Sequence, residues 1–163
     1  MRHLFLKSER KEASLFIDKA ANYALKATCK RSQCGCVIVK GKKIIGIGSN
    51  NPPKRLESQR RCDCKKDSYH KKVTDKTCCI HAEQKAIMFA LEHYPELLAG
   101  SRLYFIRLDN MSGAPSTSGD PYCTICSKMA LDVGIKEFVL LTKRGLCVYD
   151  TEEYNTLSYQ YTK

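Results

Sequence analysis

Two short stretches hold the residues that could do chemistry: His81-Ala82-Glu83 and, about forty residues on, Pro121-Tyr122-Cys123-Thr124-Ile125-Cys126. They offer three zinc-type ligands, His81, Cys123 and Cys126, and one carboxylate outside the ligand set. Three protein ligands leave a tetrahedral zinc one open position, where water can be activated. Cys123 and Cys126 are three apart, so at the start of a helix both thiolates point the same way and the positive end of the helix dipole favours their deprotonated form. His81 and Glu83 are two apart, too close to share a helical face. With His81 opening a helix, its ring meets the metal from the first turn and Glu83 reaches the water from the side. Zinc lowers the pKa of bound water from about 16 toward about 7, which makes hydroxide available as a nucleophile at neutral pH. Glu83 is then the candidate proton shuttle, from water to a ring nitrogen and on to a departing amine. The product of that chemistry has a carbonyl where an amino group stood.

The elements that must position these residues are legible from periodicity. Ala13, Phe16, Ile17, Ala20, Ala24 and Leu25 recur at three- and four-residue steps, which predicts an amphipathic helix over about 9–29. Two β-rich runs follow, 36–39 and 44–48, joined by the turn Lys40-Gly41-Lys42-Lys43. A helix is expected from about His81 to Tyr94, limited by Pro95, and a strand over 102–108. Residues 109–120 read as a Gly, Ser and Pro loop, 123–133 as a helix stopped by Gly134, and 138–141 and 146–149 as strands. Strands interleaved with helices predict one sheet covered on both faces. Residues 151–163, with Tyr154, Leu157, Tyr159 and Tyr161, read as a docked C-terminal tail, with an aromatic arm over the substrate or at a subunit contact as the alternative.

His81-x-Glu83 with Cys123-x-x-Cys126 resembles the zinc-dependent cytidine and deoxycytidylate deaminase superfamily. Tyr122 departs from the pattern by standing between Pro121 and the first cysteine, which leaves the ligand spacing intact. A second match is upstream, where Gly35-Cys36-Val37-Ile38-Val39 and Gly48-Ser49-Asn50-Asn51-Pro52-Pro53-Lys54 are similar to the opening strands and substrate loop of deoxycytidylate deaminases. The resemblance spans roughly residues 10–149 and implies a three-layer α/β/α sandwich around a mixed, about five-stranded sheet, as one deaminase domain over residues 1–163. It implies hydrolytic deamination of a cytosine nucleotide, with deoxycytidine monophosphate going to deoxyuridine monophosphate and ammonia as the leading reaction. It also implies Asn50 at the sugar, the Ala82 N–H at the base carbonyl, and a homo-oligomer. Tyr122 and Tyr104 are candidates to stack on a base.

The segment from about 51 to 80 is too long for a plain connector and forms a basic, Cys-rich insertion. Cys62, Cys64, His70 and Cys78, with Cys79 as a rival, offer a closed tetrahedral set for a second, structural zinc that would staple the loop. The resemblance points the same way, because several deoxycytidylate deaminases carry an added zinc in this region. Free thiols are the competing reading. Cys36 and Cys147 lie in apolar strand-like runs and read as core.

Of the formal +11 charge, residues 1–79 hold 20 Lys and Arg against 7 Asp and Glu, and the rest hold 8 against 10. A basic loop beside an active site attracts phosphate, either one on a nucleotide or many along a strand. Nucleic acid, single-stranded DNA or tRNA, is therefore the alternative substrate, with cytosine or adenosine as the base. A non-catalytic zinc module that binds nucleic acid is a lesser reading, and Glu83 argues against it. A chain of 163 residues with 43% apolar and 28% charged residues has globular composition. No apolar run of about twenty residues is present to cross a membrane, and residues 1–7 are too short in apolar core for a secretory leader. The expected location is cytoplasmic.

Overall fold

The computed structural model of the protein describes residues 1–4 and 6–162; Phe5 and the last tail residue, Lys163, lie outside them. In chain order the elements are β1 (Arg2–His3), α1 (Lys7–Ala24), β2 (Gln33–Lys40), β3 (Lys43–Ser49), α2 (Ala82–His93), β4 (Arg102–Leu108), β5 (Pro115–Ser116), α3 (Thr124–Asp132), β6 (Glu137–Thr142), β7 (Gly145–Asp150) and α4 (Thr151–Tyr159). Short 3-10 turns punctuate the long loop at Pro53–Arg55, Glu57–Gln59 and Lys66–Ser68. The sheet runs β1-β7-β6-β4-β2-β3, with β5 added beside β4. Its strands pair antiparallel except for β4 with β6, which are parallel.

Two apolar clusters face the sheet from opposite sides. Ala13, Phe16, Ile17, Ala20 and Ala24 of α1 meet Val37, Val39, Tyr104, Ile106 and Val148 on one face. On the other, Ala82, Ala86, Ile87 and Ala90 of α2, Ala130 of α3 and Tyr154 of α4 meet Cys36, Ile38, Leu103, Phe105 and Phe138. Burial on both faces explains why Cys34 through Val39 are buried without alternation. The architecture is thus the expected mixed α/β layering, with seven strands among the described residues in place of about five. The two added strands, β1 and β5, are two residues long and leave no period for a sequence reading to detect.

The first helix ends at Ala24 rather than near residue 29, and Leu25 is 60% exposed, so it lies off the predicted apolar face. The tail folds as α4 over most of its length. Asp150 caps it by accepting from the Glu152 N–H at 2.9 Å, and the Tyr154 ring stacks on Phe138 with centroids 4.1 Å apart.

Glycines set the distance between α2 and the sheet. A Cβ on Gly48 would come 2.0 Å from the Ala82 carbonyl oxygen, and one on Gly46 would come 2.6 Å from that of Ala86. The first turn of α2, which begins the functional stretch, therefore rests directly on the β3 backbone.

Candidate active site

His81 is the N-cap of α2 and Cys123 the N-cap of α3, so the two stretches meet at adjacent helix starts on one face of the sheet. The Gln84 side chain accepts from the His81 backbone N–H at 2.9 Å and fixes this turn. His81 Nδ1 stands 3.2 Å from Cys126 Sγ and 3.4 Å from Cys123 Sγ. Tetrahedral Zn–N and Zn–S bonds place such ligand atoms about 3.5 Å apart, so the donor set has the size and chemistry for zinc. The hydrogen bond with Cys126 draws the Cys123 thiol down to about 4, and the hydrogen bond with Cys123 pushes the His81 ring up to about 9. A thiolate is thus favoured where a cation would sit.

The second ring nitrogen of His81 also has a partner. Thr77 donates its hydroxyl proton to Asp75 Oδ1 at 2.5 Å, which leaves Thr77 Oγ1 to accept at 3.5 Å from a proton on His81 Nε2. With a proton held on Nε2, Nδ1 is the nitrogen available to bind a metal between the thiols. No spacing rule in the sequence pointed to Thr77 or Asp75.

Glu83 is 6% exposed and lines the same cavity as His81. Burial pushes its carboxyl up to about 7, although the His81 charge works to lower it. The cavity, of about 670 Å³, is walled by Asn50, Ala82, Phe105, Arg107, Tyr122 and Tyr161 among others. Asn50 is held by its own fold: Oδ1 accepts from the Cys34 N–H at 2.8 Å and Nδ2 donates to the Ser32 carbonyl at 2.9 Å. Tyr122 is 40% exposed and its ring centroid lies 5.7 Å from that of Tyr161, which brings the tail to the cavity mouth. Tyr104, a candidate stacking residue, is on the opposite face against Phe16 at 5.1 Å and does not reach the cavity.

The loop cysteines converge differently from the expected set. Cys29, Cys62 and Cys79 offer sulfurs within 4.8 Å of one another. Cys78 Sγ lies 3.4 Å from Cys62 Sγ and 3.7 Å from Cys79 Sγ. Cys64 and His70 fall outside this group, because His70 is exposed and its Nδ1 accepts from the Lys72 N–H at 3.2 Å. Cys29 enters because the segment after α1 is tied to the loop. Arg60 donates to the Thr28 carbonyl at 2.6 Å, Arg31 to the Cys62 carbonyl at 2.6 Å, and Lys30 to Asp63 at 2.8 Å. Burial raises the Cys62 thiol, but the Lys30 N–H, Cys78 and Arg60 together draw it down to about 7. The group borders the cavity beside His81. Cys36 and Cys147 are fully buried, as their apolar surroundings predict.

The sequence pattern of the cytidine and deoxycytidylate deaminase zinc-binding region matches residues 10–142. The chain is 28% identical over 136 residues to the deoxycytidylate deaminase of Schizosaccharomyces pombe, covering 82% of this chain and 38% of that protein. It therefore spans well under half the length of that relative. Among solved structures it is similar to the dCMP deaminase of cyanophage S-TIM5 in complex with dCMP and dUMP. The TM-score is 0.54 at 25% identity, covering 82% of this chain and 81% of that one. The apo form of the same phage enzyme shares the fold, with a TM-score of 0.52 at 21% identity over 78% of this chain and 80% of that one. With His81, Cys123 and Cys126 meeting at helix starts packed over a mixed sheet and a family pattern running through all three, the chain belongs to the cytidine and deoxycytidylate deaminase family.

Proposed function

We propose that this protein hydrolytically deaminates a cytosine nucleotide, converting dCMP and water to dUMP and ammonia. The observation that carries the reading is the meeting of His81 Nδ1 with both thiols, at 3.2 and 3.4 Å, beside a carboxyl buried in the same cavity. His81, Cys123 and Cys126 would hold a zinc ion. Zinc bound there supplies Lewis acidity that makes hydroxide available from water at neutral pH.

The chain's own groups account for the remaining steps. Glu83, with its carboxyl pushed up to about 7, is suited both to take and to return a proton near neutrality. It takes one from the attacking water, places it on N3 of the pyrimidine, and carries the next to the departing amino group. The C4–N bond breaks as ammonia leaves, and C4 keeps the oxygen. The Ala82 N–H is the group we assign to the base carbonyl. The uncommitted edge of Asn50 is assigned to the sugar, and Tyr122 to the base face.

The relative from Schizosaccharomyces pombe and the phage enzyme bound to dCMP and dUMP support the choice of substrate. A second reading, a polynucleotide substrate, draws on the cations that line the same cavity, Arg31, Arg61 and Lys66. We also propose a second, structural zinc held by Cys29, Cys62, Cys79 and Cys78. Its role would be to fasten the 51–80 loop to the segment after α1 and so form one wall of the cavity. A homo-oligomer is proposed on the resemblance alone.

Glu83→Gln tests the proton assignment, since the amide keeps the shape but cannot accept the proton. Turnover is expected to fall by at least about 1,000-fold with zinc content and dUMP affinity retained. Activity within about tenfold of the parent would show that another group moves the proton.

A further inference from the structure

Arg107 brings a positive charge to the cavity wall with no ion-pair partner among the described residues. Along β4, Leu103 and Phe105 join the cluster beneath α2, α3 and α4, while Tyr104, Ile106 and Leu108 join the one beneath α1. Alternation puts Arg107 on the first of these faces, where it lines the cavity that holds Glu83 and His81. Its Nε is closed off from solvent and has no hydrogen-bond partner. Arg102, at the other end of the same strand, shows what a balanced arginine looks like here: it pairs with Glu137 at 2.6 Å and Glu9 at 3.6 Å. Among the described residues no carboxylate forms an ion pair with Arg107.

The groups beside it are neutral ones. The guanidinium borders the Cys34 thiol and the Tyr122 hydroxyl. Burial pushes the Cys34 thiol up to about 11, so it supplies no anion near pH 7. Asp109 lies on the same wall, but its Oδ1 is taken up by its own loop, accepting from Met111 N–H at 3.1 Å, Ser112 N–H at 2.8 Å and Ser112 Oγ at 2.9 Å. A buried guanidinium N–H without an acceptor is costly, and a ligand that brings an anion to it removes the cost. A phosphate monoester presents several acceptor oxygens to the planar fork of an arginine. Glu83 and Arg107 line one cavity together with Cys34 and Tyr122. A volume of about 670 Å³ accommodates a whole nucleotide between them.

We propose that Arg107 is a specificity-determining residue that binds the phosphate monoester of the substrate and so selects a nucleotide over the neutral nucleoside. The proposal rests on the cytosine-nucleotide reading of the site, and two independent measurements separate their failures. Calorimetric titration of dUMP and deoxyuridine into the zinc-loaded parent, Arg107→Gln and Arg107→Lys reads phosphate recognition without turnover. Expected is a preference for dUMP over deoxyuridine of about 100-fold in the parent, abolished in Arg107→Gln and cut about tenfold in Arg107→Lys, which keeps the charge but not the fork. Deoxyuridine affinity should stay within about threefold throughout. A parent without the preference, or an Arg107→Gln that keeps it, overturns the assignment. So does an equal loss for both ligands, because that marks a purely structural arginine. Should Arg107→Gln melt too low to titrate, Arg107→Lys decides on the same criterion. Steady-state rates with dCMP and deoxycytidine give the second reading: intact dUMP selectivity without deamination of either would sink the proposed reaction and leave Arg107 in place.

Discussion

Thr77 constrains His81 from behind. Its single hydroxyl proton is committed to Asp75, so it can only accept from the imidazole, and that acceptance selects the tautomer whose Nδ1 faces Cys123 and Cys126. Partners of this kind typically set metal affinity by about 10- to 100-fold. Thr77→Val, which keeps the shape and removes the oxygen, is expected to weaken zinc binding at His81 by about tenfold in competition with a chromogenic chelator. Unchanged affinity would show that the 3.5 Å contact does not orient the ring. Among the residues, the convergence of His81, Cys123 and Cys126 was legible because the pattern depends on local spacing: two residues from His81 to Glu83, three from Cys123 to Cys126. Thr77, Cys29 and Arg107 were not, because their roles come from partners distant in sequence or from the face a strand turns inward. Alternation along Arg102–Leu108 does place Arg107 opposite Ile106, and that signal could have found it.

The contact between α2 and β3 is the element on which the site depends. With Gly48 lying under the first turn of α2, a methyl group there would force apart the strand and the helix start that carries His81 and Glu83. Gly48→Ala is expected to destabilise by about 1–3 kcal/mol and to lower turnover by at least about tenfold, since small displacements of reacting groups are amplified in rate. Gly41→Ala provides the contrast. No atom lies within 4 Å of its added Cβ, although its φ of +60 is strained for alanine, so it should cost stability without changing the rate per folded molecule. Equal effects on rate would mean that the helix start is not positioned by this contact. The main strands and the first three helices followed from period because each buries one long face or two. The β1 and β5 strands escaped because two residues carry no period. The α4 helix gives only the signal of a docked tail, since its apolar residues are few and its cap, Asp150, lies at the end of a strand.

Across the whole molecule, the excess of positive charge in the first 79 residues is partly internal structure. Arg31 and Arg60 spend donors on the carbonyls of Cys62 and Thr28, and Arg60 also pairs with Glu57 at 2.6 Å. These ties gather the thiols of Cys29, Cys62, Cys78 and Cys79 beside the cavity. Two zinc ions per chain are therefore expected by elemental analysis. Cys62→Ser should leave one, with a lower melting temperature and raised protease sensitivity between residues 51 and 80; a parent with one zinc contradicts the staple. The charge pattern was visible in composition, but its division between loop fastening and cavity lining depends on tertiary contacts. Substrate size separates the two uses of the remaining cations. A single phosphate predicts a logarithmic slope of binding on salt of no more than about one, and a polynucleotide predicts several.

Deamination of a free cytosine nucleotide is tested by measuring ammonia release from the zinc-loaded protein with dCMP, CMP, dCTP, deoxycytidine, adenosine monophosphate, single-stranded DNA and tRNA, using Glu83→Gln as the blank. Turnover of dCMP is expected well above both the blank and the deoxycytidine rate. Silence on every mononucleotide together with conversion of a base in DNA or tRNA would contradict it.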